Sequence, residues 1–331
     1  MKALVYEKAH SITDFAIHLL EVPEPALREH DVLVEVRAVG INPGEAAIRT
    51  MQSAEPGGRV LLGWEFAGVV IATGPAVHRF KIGDRVFGTG DMTRDGAWAE
   101  RLAVDNRILA GIPDQLSFAD AASLPIGAVT AWEAMFRDQD RLPTGVDRVL
   151  IVGGAGAVGS LATQLLKSRT KAFVISTGSR SDSKAWCSDM GADLVLDHAG
   201  DVAAQLAAAD ISHVDFVLST AKSAGNIGWI AKVLRPFGHL SVVDVGPPLD
   251  VSPLVVKSAS LHTEMVFSRV IHGSAPEKQG SILETVAGLV VEGRVRSIRT
   301  TLLDGLTAGT IRTAHGLVES GKTIGKVVIA T

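Results

Sequence analysis

A glycine-rich turn between a strand pattern and a helix pattern constrains the fold of this chain more than any other feature. Gly154-Ala-Gly156-Ala-Val-Gly159 matches G-x-G-x-x-G; an apolar segment at 149–152 precedes it and a helical pattern at 158–167 overlaps its end. The pattern alone is weak evidence, but in a strand–turn–helix context it is the fingerprint of a dinucleotide site. The alternative is a glycine-rich turn that binds nothing.

Each glycine of this turn has an expected role. Gly154 permits the tight turn, Gly156 lets the backbone approach a pyrophosphate, and Gly159 lets the helix pack against the strand. The helix N-terminus, which includes Ala157 and Val158, offers N–H groups and a positive dipole end to the phosphate.

Strand and helix patterns alternate around the turn. The predicted strands are 149–152, 172–176, 193–196, 214–218 and 239–243, and the predicted helices are 158–167, 183–190, 202–209 and 225–234. The last of these helices is expected to be stopped by Pro236 and Gly238. Such alternation predicts an α/β fold with an open, doubly wound parallel sheet.

The two ends of the chain have a different texture. Residues 1 to about 120 are β-rich, with strand patterns at 31–40, 62–71 and 83–88 separated by Gly and Pro turns, which suggests a small barrel-like domain. Helix patterns at 278–292 and 308–320 and a strand at 325–330 follow the alternating part. We expect this tail to complete the first domain, so that residues 1–122 and 266–331 form one domain and 123–265 the other.

Composition excludes several classes of protein. The chain has 331 residues and a net charge of −4, so it offers no basic field for nucleic acid or an anionic membrane. The single cysteine, Cys187, excludes a disulfide framework and a multi-cysteine zinc lobe. The single tyrosine, Tyr6, excludes a mid-chain tyrosine acid. No apolar run follows Met1, so we expect no signal peptide and a cytoplasmic location.

The end of the second predicted strand indicates which dinucleotide binds. An NAD site usually has Asp or Glu there, but this chain has Ser176 and Thr177, followed by a loop with Arg180 and Lys184. Two hydroxyls and two cations suit the 2′-phosphate of NADPH. Asp182 could instead pair with Arg180, and a solvated surface loop is the alternative.

In combination, several motifs spread over the chain are far more specific than the turn. They are Gly40-Ile-Asn-Pro43, Leu62-Gly-Trp-Glu-Phe-Ala-Gly68, Gly83-Asp-Arg-Val86, Gly96-Ala-Trp-Ala-Glu100, Leu124-Pro to Thr130-Ala, Met190-Gly-Ala-Asp193, the segment 257–267 and Glu319-Ser-Gly-Lys322. With them the chain resembles the medium-chain dehydrogenase/reductases, in particular the zinc-independent quinone oxidoreductase-like branch and its "zinc-type alcohol dehydrogenase-like" subgroup.

The resemblance implies a GroES-like catalytic domain, a Rossmann domain and a substrate cleft between them. It also implies homodimers joined through the last Rossmann strand, here about 260–266. Zinc-dependent members carry a Cys and a His at positions matched here by Asn42 and Trp64, and a Trp side chain cannot ligate zinc. Glu45 and Glu65 remain nearby in sequence without an adjoining His or Cys. We therefore expect no metal.

Four residues are the catalytic candidates: Asn42, Glu45, Trp64 and Thr130. The resemblance places Asn42 beside the nicotinamide, and Thr130 could bond the ribose or carboxamide; a plain turn and a helix-surface residue are the alternatives. Glu45 either orients the site or is solvated. Trp64 and Trp98 either wall the pocket or pack in the core.

Further candidates lie around the predicted cofactor and pocket. His198 is a candidate for stacking on adenine, with an exposed loop residue as the alternative, and Ser219 and Thr220 end the fourth strand of the predicted sheet. Phe267 and Arg269 are candidates for capping the pocket. Cys187 and Asp215 are interpreted as structural.

Without zinc, reduction suits the chain better than alcohol oxidation, which would lack a Lewis acid. The sequence thus predicts an NADPH-dependent oxidoreductase that transfers hydride to a small-molecule quinone or α,β-unsaturated carbonyl. A zinc-type alcohol dehydrogenase and a weakly catalytic NADPH-binding sensor or structural protein are the alternatives.

Overall fold

A computed structural model describes residues 1–244 and 246–331. The chain divides into two compact units, Met1–Ile126 with Phe267–Thr331, and Gly127–Val266. The second unit is thus an insertion in the first. The sequence boundaries, after residues 122 and 265, lie close to these.

The first unit begins with most of its strands. They are β1 (Lys2–Val5), β2 (His18–Glu21), β3 (Asp31–Ile41), β4 (Glu65–Thr73), β5 (Arg85–Thr89), β6 (Arg101–Asp105) and β7 (Leu109–Gly111), with helices α1 (Pro43–Met51) and α2 (Phe118–Ala121). Val32, Val34 and Val36 of β3 are buried, as the alternation in the sequence predicts.

The second unit alternates strands and helices. Its elements are α3 (Pro125–Phe136, whose first two residues belong to the first unit), β8 (Arg148–Val152), α4 (Ala157–Arg169), β9 (Phe173–Thr177), α5 (Ser181–Asp189), β10 (Leu194–Leu196), α6 (Val202–Ala208), β11 (Val214–Ser219), α7 (Ser223–Val233), β12 (Leu234–Val242), α8 (Ser252–Val255) and β13 (Ser260–Thr263). All strand pairs are parallel, in the order β10-β9-β8-β11-β12-β13. The carboxyl ends of the strands therefore lie along one edge, where ligands bind in such sheets.

The tail then completes the first unit. It contains α9 (Ser268–Ile271), α10 (Glu277–Val291), β14 (Arg299–Asp304), α11 (Ala308–Glu319) and β15 (Lys326–Ala330). The sheet order is β14-β15-β3-β4-β5-β7, and β6 also pairs with β3. This return of the last strand to the sheet of the first residues places β3 between β4 and β15.

These two sheets confirm the predicted fold class, a doubly wound parallel α/β sheet inserted in a β-rich domain. One local prediction was wrong: Pro236 and Gly238 do not end a helix, because α7 already ends at Val233 and both residues lie in β12. The register of β12 against β11 shifts there, and Phe237 has φ +56°. A bulge in the strand accommodates the proline and the glycine.

Among the residues that the structure describes, no helix is both long and apolar enough to cross a bilayer.

Candidate active site

Three strand ends of the first unit bring together side chains that are far apart in the sequence. Asn42 directly follows β3, Glu65 begins β4 and Lys326 begins β15. Because β3 pairs antiparallel with both neighbours, its end lies beside the beginnings of β4 and β15. The pairing of Val327 with Ile41 fixes the register on one side.

The three side chains form a closed hydrogen-bonded set, which we call the Asn42 cluster (Asn42, Glu65 and Lys326). The Lys326 ammonium lies 2.5 Å from Glu65 Oε2 and donates to Asn42 Oδ1 at 2.6 Å. Asn42 Nδ2 donates to Glu65 Oε2 at 3.0 Å, and the Ile126 amide donates to Glu65 Oε1 at 2.8 Å. Lys326 is 2% exposed and Glu65 0%, so both charges are satisfied inside the protein.

Glu45 lies next to this cluster, on the first turn of α1. It is buried, and its carboxylate accepts from the Asn42 amide at 2.9 Å and from the Trp64 amide at 3.0 Å. Burial raises the pKa of Glu45 to about 7, although these two amides and the Lys326 charge act in the opposite direction. Glu45 therefore is not a solvated surface acid; it links the backbone of two candidate residues.

The candidate tryptophans lie in the core of the first unit. Trp64 is buried, and its ring centroid is 5.7 Å from that of Phe267 in an edge-on contact. Trp98 is fully buried, with its ring 5.3 Å from that of His315. Within residues 1–244 and 246–331, the indole N–H groups of both have no hydrogen-bond partner. Trp98 thus takes the core-packing alternative, while Trp64 also adjoins Glu45 through its backbone.

The donor set around Asn42 does not fit a zinc ion. Zinc requires about three protein ligands from Cys, His, Asp or Glu, whereas the matching positions hold an amide and an indole. A lysine ammonium already lies against the Asn42 and Glu65 oxygens. Within residues 1–244 and 246–331 no group of three or more His, Cys, Asp or Glu side chains could hold a metal.

In the second unit, the glycine turn joins β8 to α4 with one difference from expectation. The left-handed residue is Gly153, with φ +82°, so the tight turn is made one residue before Gly154. A Cβ on Gly154 would come within 2.7 Å of the Ser176 Cβ, so Gly154 serves close packing instead. A Cβ on Gly159 would come within 2.4 Å of the Gly153 carbonyl, so Gly159 lets the helix pack closely on the turn itself, where packing against the strand was predicted.

This turn fits a dinucleotide phosphate. A Cβ on Gly156 would meet nothing nearer than 3.5 Å, so one side of the turn is open. Gly156, which has no side chain to cap the helix, is also the N-cap of α4. The first amides of a 13-residue helix, among them those of Ala157 and Val158, are left for an anionic ligand.

The hydroxyls at the end of β9 are engaged inside the unit. Ser176 Oγ is 3.2 Å from Thr163 Oγ1, and Thr177 Oγ1 accepts from the Gly153 amide at 3.0 Å. Both residues are buried. In this structure they support the glycine turn, and the accessible groups are those of the following loop.

Four basic side chains, which we call the basic rim, follow β9, β10 and β11. They are Arg180, Lys184, His198 and Lys222. Partial desolvation lowers the pKa of His198, and the charges of Lys222, Arg180 and Lys184 lower it further against the opposing effect of Asp197. Lys222 was not among the predicted residues; its position just after β11, beside Ser219 and Thr220, is the signal that could have found it.

Carboxylates pair with two members of this rim. Arg180 Nε lies 3.2 Å from Asp182, the pairing considered as an alternative in the sequence, and Lys184 Nζ lies 2.8 Å from Asp197. These side chains are roughly one-third to two-thirds exposed, unlike those of the Asn42 cluster.

The remaining candidates of the second unit are held by local contacts. Ser219 Oγ is 2.7 Å from Ser223 Oγ, and Thr220 Oγ1 donates to the Val152 carbonyl at 2.8 Å. Thr130 is buried on α3. Burial raises the pKa of the Cys187 thiol to about 11, which suits a structural residue.

Asp215, at the start of β11, has the structural role expected of it. Its carboxylate accepts from the amides of Asp147 and Arg148 and from Arg235 Nε. Phe267 contacts Trp64, as described above, and Arg269 donates to the Ser274 carbonyl at 3.3 Å.

Two family models match the sequence. Residues 28–114 match the alcohol dehydrogenase GroES-like domain, and residues 190–329 match the zinc-binding dehydrogenase domain. A zinc-type alcohol dehydrogenase-like protein of Staphylococcus aureus is 33% identical over 336 residues, covering 99% of both chains. The chloroplastic NADPH-dependent alkenal/one oxidoreductase of Arabidopsis thaliana is 30% identical over 60% of this chain and 52% of its own length.

Solved structures of named dehydrogenases and oxidoreductases have a similar fold. A Rhizobium etli protein named as a zinc-dependent alcohol dehydrogenase superimposes with a TM-score of 0.96 at 39% identity, covering 100% of this chain and 98% of the other. The quinone oxidoreductase of Coxiella burnetii superimposes with a TM-score of 0.81 at 26% identity, covering 100% and 99%.

Proposed function

The chain belongs to the medium-chain dehydrogenase/reductase superfamily, among the zinc-type alcohol dehydrogenase-like proteins, and we propose that it is an NADPH-dependent, zinc-independent oxidoreductase. Its acceptor is a quinone or an α,β-unsaturated carbonyl. The observation that carries this proposal is the Asn42 cluster, in which a lysine ammonium lies against the oxygens that a metal would need.

The poor fit of the Asn42 cluster to a zinc ion favours reduction over alcohol oxidation. Oxidation of an alcohol needs a group that acidifies the hydroxyl, and a zinc ion is the usual one. Reduction of an electron-poor acceptor needs instead a hydrogen-bond donor for the negative charge that develops on its oxygen. The Asn42 side-chain amide is such a donor.

The residues of the second unit fit the cofactor. When bound, NADPH supplies the hydride. The first amides of α4 would hold the pyrophosphate, and the open side of Gly156 would let it approach. The basic rim suits a 2′-phosphate, since Arg180 and Lys184 can exchange a carboxylate partner for a phosphate.

Names of relatives support the acceptor class. The Arabidopsis relative is named for alkenals and enones and for NADPH, and the Coxiella structure is named for quinones. Both acceptors carry a carbonyl conjugated to a carbon–carbon double bond, which accepts hydride at carbon and gathers negative charge at oxygen.

A panel assay tests the proposal. Purified protein, prepared without chelator, is assayed for oxidation of NADPH and of NADH with quinones, alkenals and enones, and its zinc content is measured. We expect turnover with at least one acceptor and a kcat/KM for NADPH at least about tenfold that for NADH, as one strong phosphate contact provides. Stoichiometric zinc or equal kcat/KM for the two cofactors would overturn the proposal. NADPH binding without any turnover would favour the sensor or structural alternative.

We also propose a homodimer, as the superfamily resemblance implies. β13 is an edge strand of the six-stranded sheet and pairs only with β12 within residues 1–244 and 246–331. An edge strand of this kind can pair with the same strand of a second copy. Light scattering measures the molecular mass in solution, and the mass of a monomer would contradict the proposed homodimer.

A further inference from the structure

We propose that Lys326 is a positioning residue for the reduction, which together with Glu65 fixes the orientation of the Asn42 side-chain amide. This inference deepens the proposed function, on which it rests through the role of Asn42. All three residues lie in the first unit.

The chemistry of the two partners leaves the amide one favourable orientation. An ammonium has only donors and an ionised carboxylate only acceptors. Lys326 therefore requires the Asn42 carbonyl oxygen, at 2.6 Å, and Glu65 requires its NH2 group, at 3.0 Å. A flipped amide would set NH2 against the ammonium and the carbonyl oxygen against the carboxylate, which is unfavourable at both ends.

The fold brings the three side chains of the Asn42 cluster close together, and we call the hold of Glu65 and Lys326 on the amide the clamp. The clamp depends on three adjacent strands, because β3 carries Asn42 between the strands that begin with Glu65 and Lys326. Room for it comes from Gly40, where a Cβ would lie 2.6 Å from Glu65 Oε2 and 2.5 Å from the Ala122 carbonyl oxygen. No larger residue fits at position 40 without moving the carboxylate.

The clamp leaves one donor of Asn42 for a ligand. The NH2 group has two hydrogens, and one of them bonds to Glu65. Asn42 is only half-buried, while Glu65 and Lys326 are buried, so Asn42 is the member of the cluster that a substrate can reach. A cation on Oδ1 also polarises the amide and makes the remaining N–H a stronger donor.

An isotope experiment tests the clamp without any activity. The chain has three asparagines, Asn42, Asn106 and Asn226, so selective 15N-asparagine labelling yields three pairs of side-chain amide signals. Substitution of each asparagine by aspartate assigns them. We expect the two side-chain amide protons of Asn42 to have widely separated chemical shifts in the wild type, because only one of them bonds to a carboxylate. In Lys326→Met, this separation should become smaller or the two signals should broaden.

A matched control variant shows whether the change in the Asn42 signals is specific to Lys326. Lys167→Met removes another lysine paired with a carboxylate, that of Asp193 at 2.8 Å, in the other unit. It should leave the Asn42 signals unchanged. If the Lys326→Met variant is folded and its Asn42 signals are the same as in the wild type, the proposed clamp is wrong.

A kinetic series separates positioning from stability. Lys326→Met should lower kcat about 10- to 100-fold, the range expected for losing a charge-assisted contact in the transition state, with KM for NADPH little changed. Lys326→Met alone leaves the Glu65 charge buried without its cation, so the double variant Lys326→Met/Glu65→Gln serves as the second arm. It should regain stability and still have low kcat, because neither end of the clamp is charged.

The outcomes distinguish this inference from the proposed function. If kcat recovers along with stability in the double variant, Lys326 is merely structural and the inference fails. If the wild type reduces no acceptor, the proposed function fails, and the amide signals still decide whether Lys326 orients Asn42.

Discussion

Charged side chains are placed differently at the candidate sites of the two units. In the first, Lys326, Glu65 and Glu45 are at most 2% exposed, and their hydrogen-bond partners are supplied by the protein itself. In the second, the Arg180–Asp182 and Lys184–Asp197 pairs lie at the surface. A buried set of charges must be complete before a ligand arrives, since an unpaired buried charge is costly. An exposed pair can be opened by a ligand at little cost.

The largest expected effect on stability comes from replacing a paired lysine by methionine, once in each unit. Lys326→Met should lower the free energy of unfolding by about 3–5 kcal/mol, because it strands a carboxylate in the core. Lys167→Met, whose lysine pairs with Asp193 at the surface, should cost about 1 kcal/mol or less. Urea unfolding, followed separately by tryptophan fluorescence and circular dichroism, measures both. Equal costs would mean that the Lys326 pair is no more tightly coupled to folding than a surface pair.

The second test is the pH dependence that Glu45 confers. Burial raises its pKa from the ordinary value of 4.5 to about 7 in the folded protein. Below pH 4.5 the carboxyl is protonated in both states; between pH 4.5 and 7 only the unfolded chain ionises, so stability falls as pH rises. The slope is at most about 1.4 kcal/mol per pH unit, and the whole loss is about 3 kcal/mol.

Glu45→Gln is the matched variant for this titration because it cannot ionise. The difference in unfolding free energy between wild type and variant should shift in favour of the variant between pH 4.5 and 7, and stay constant above that range. Urea unfolding at pH 5, 6, 7 and 8 measures it. A difference that does not vary with pH would show that Glu45 has no raised pKa.

The smallest effect is expected at the basic rim. Arg180→Gln or Lys184→Gln should raise the Kd for NADPH about tenfold, the loss of one exposed phosphate contact, and leave the Kd for NADH unchanged. Lys171→Gln is the control, since Lys171 is exposed before β9, at the opposite end of the strand from Arg180. Fluorescence titration of the wild type and the three variants with each cofactor measures the eight dissociation constants. Equal weakening of NADPH and NADH binding by the rim variants would contradict recognition of a 2′-phosphate.

The two regions also differ in how far the sequence could predict them. Strand, turn and helix around Gly154 and Gly159 are adjacent along the chain, and the observed β8 and α4 differ from prediction by at most two residues at either end. The error there was one residue in the position of the left-handed glycine, Gly153. The bulge of β12 was missed because proline and glycine are equally typical of a helix end and of an irregular strand.

The Asn42 cluster could be predicted only in part. Asn42 and Glu45 were found through a short motif and a family resemblance, and Glu65 was noticed as a nearby carboxylate. No sequence pattern marked Lys326 as a site residue, because a single lysine at the start of a C-terminal strand is common. Its role depends on which strand β15 joins, and hydrophobic patterning does not specify strand order.

The sequence by itself determined the α/β class, the insertion of one domain in another, the strand, glycine turn and helix around Gly154 and Gly159, and the unsuitability of Asn42 and Trp64 as zinc ligands. Each of these depends on residue type or on short-range order, which local sterics and hydrogen bonding control. Only the tertiary structure decided that Lys326 supplies the cation beside Asn42, that Glu45 is buried, and that Ser176 and Thr177 point their hydroxyls into the unit. Those outcomes depend on long-range strand pairing and on desolvation, which exist only after the chain has folded.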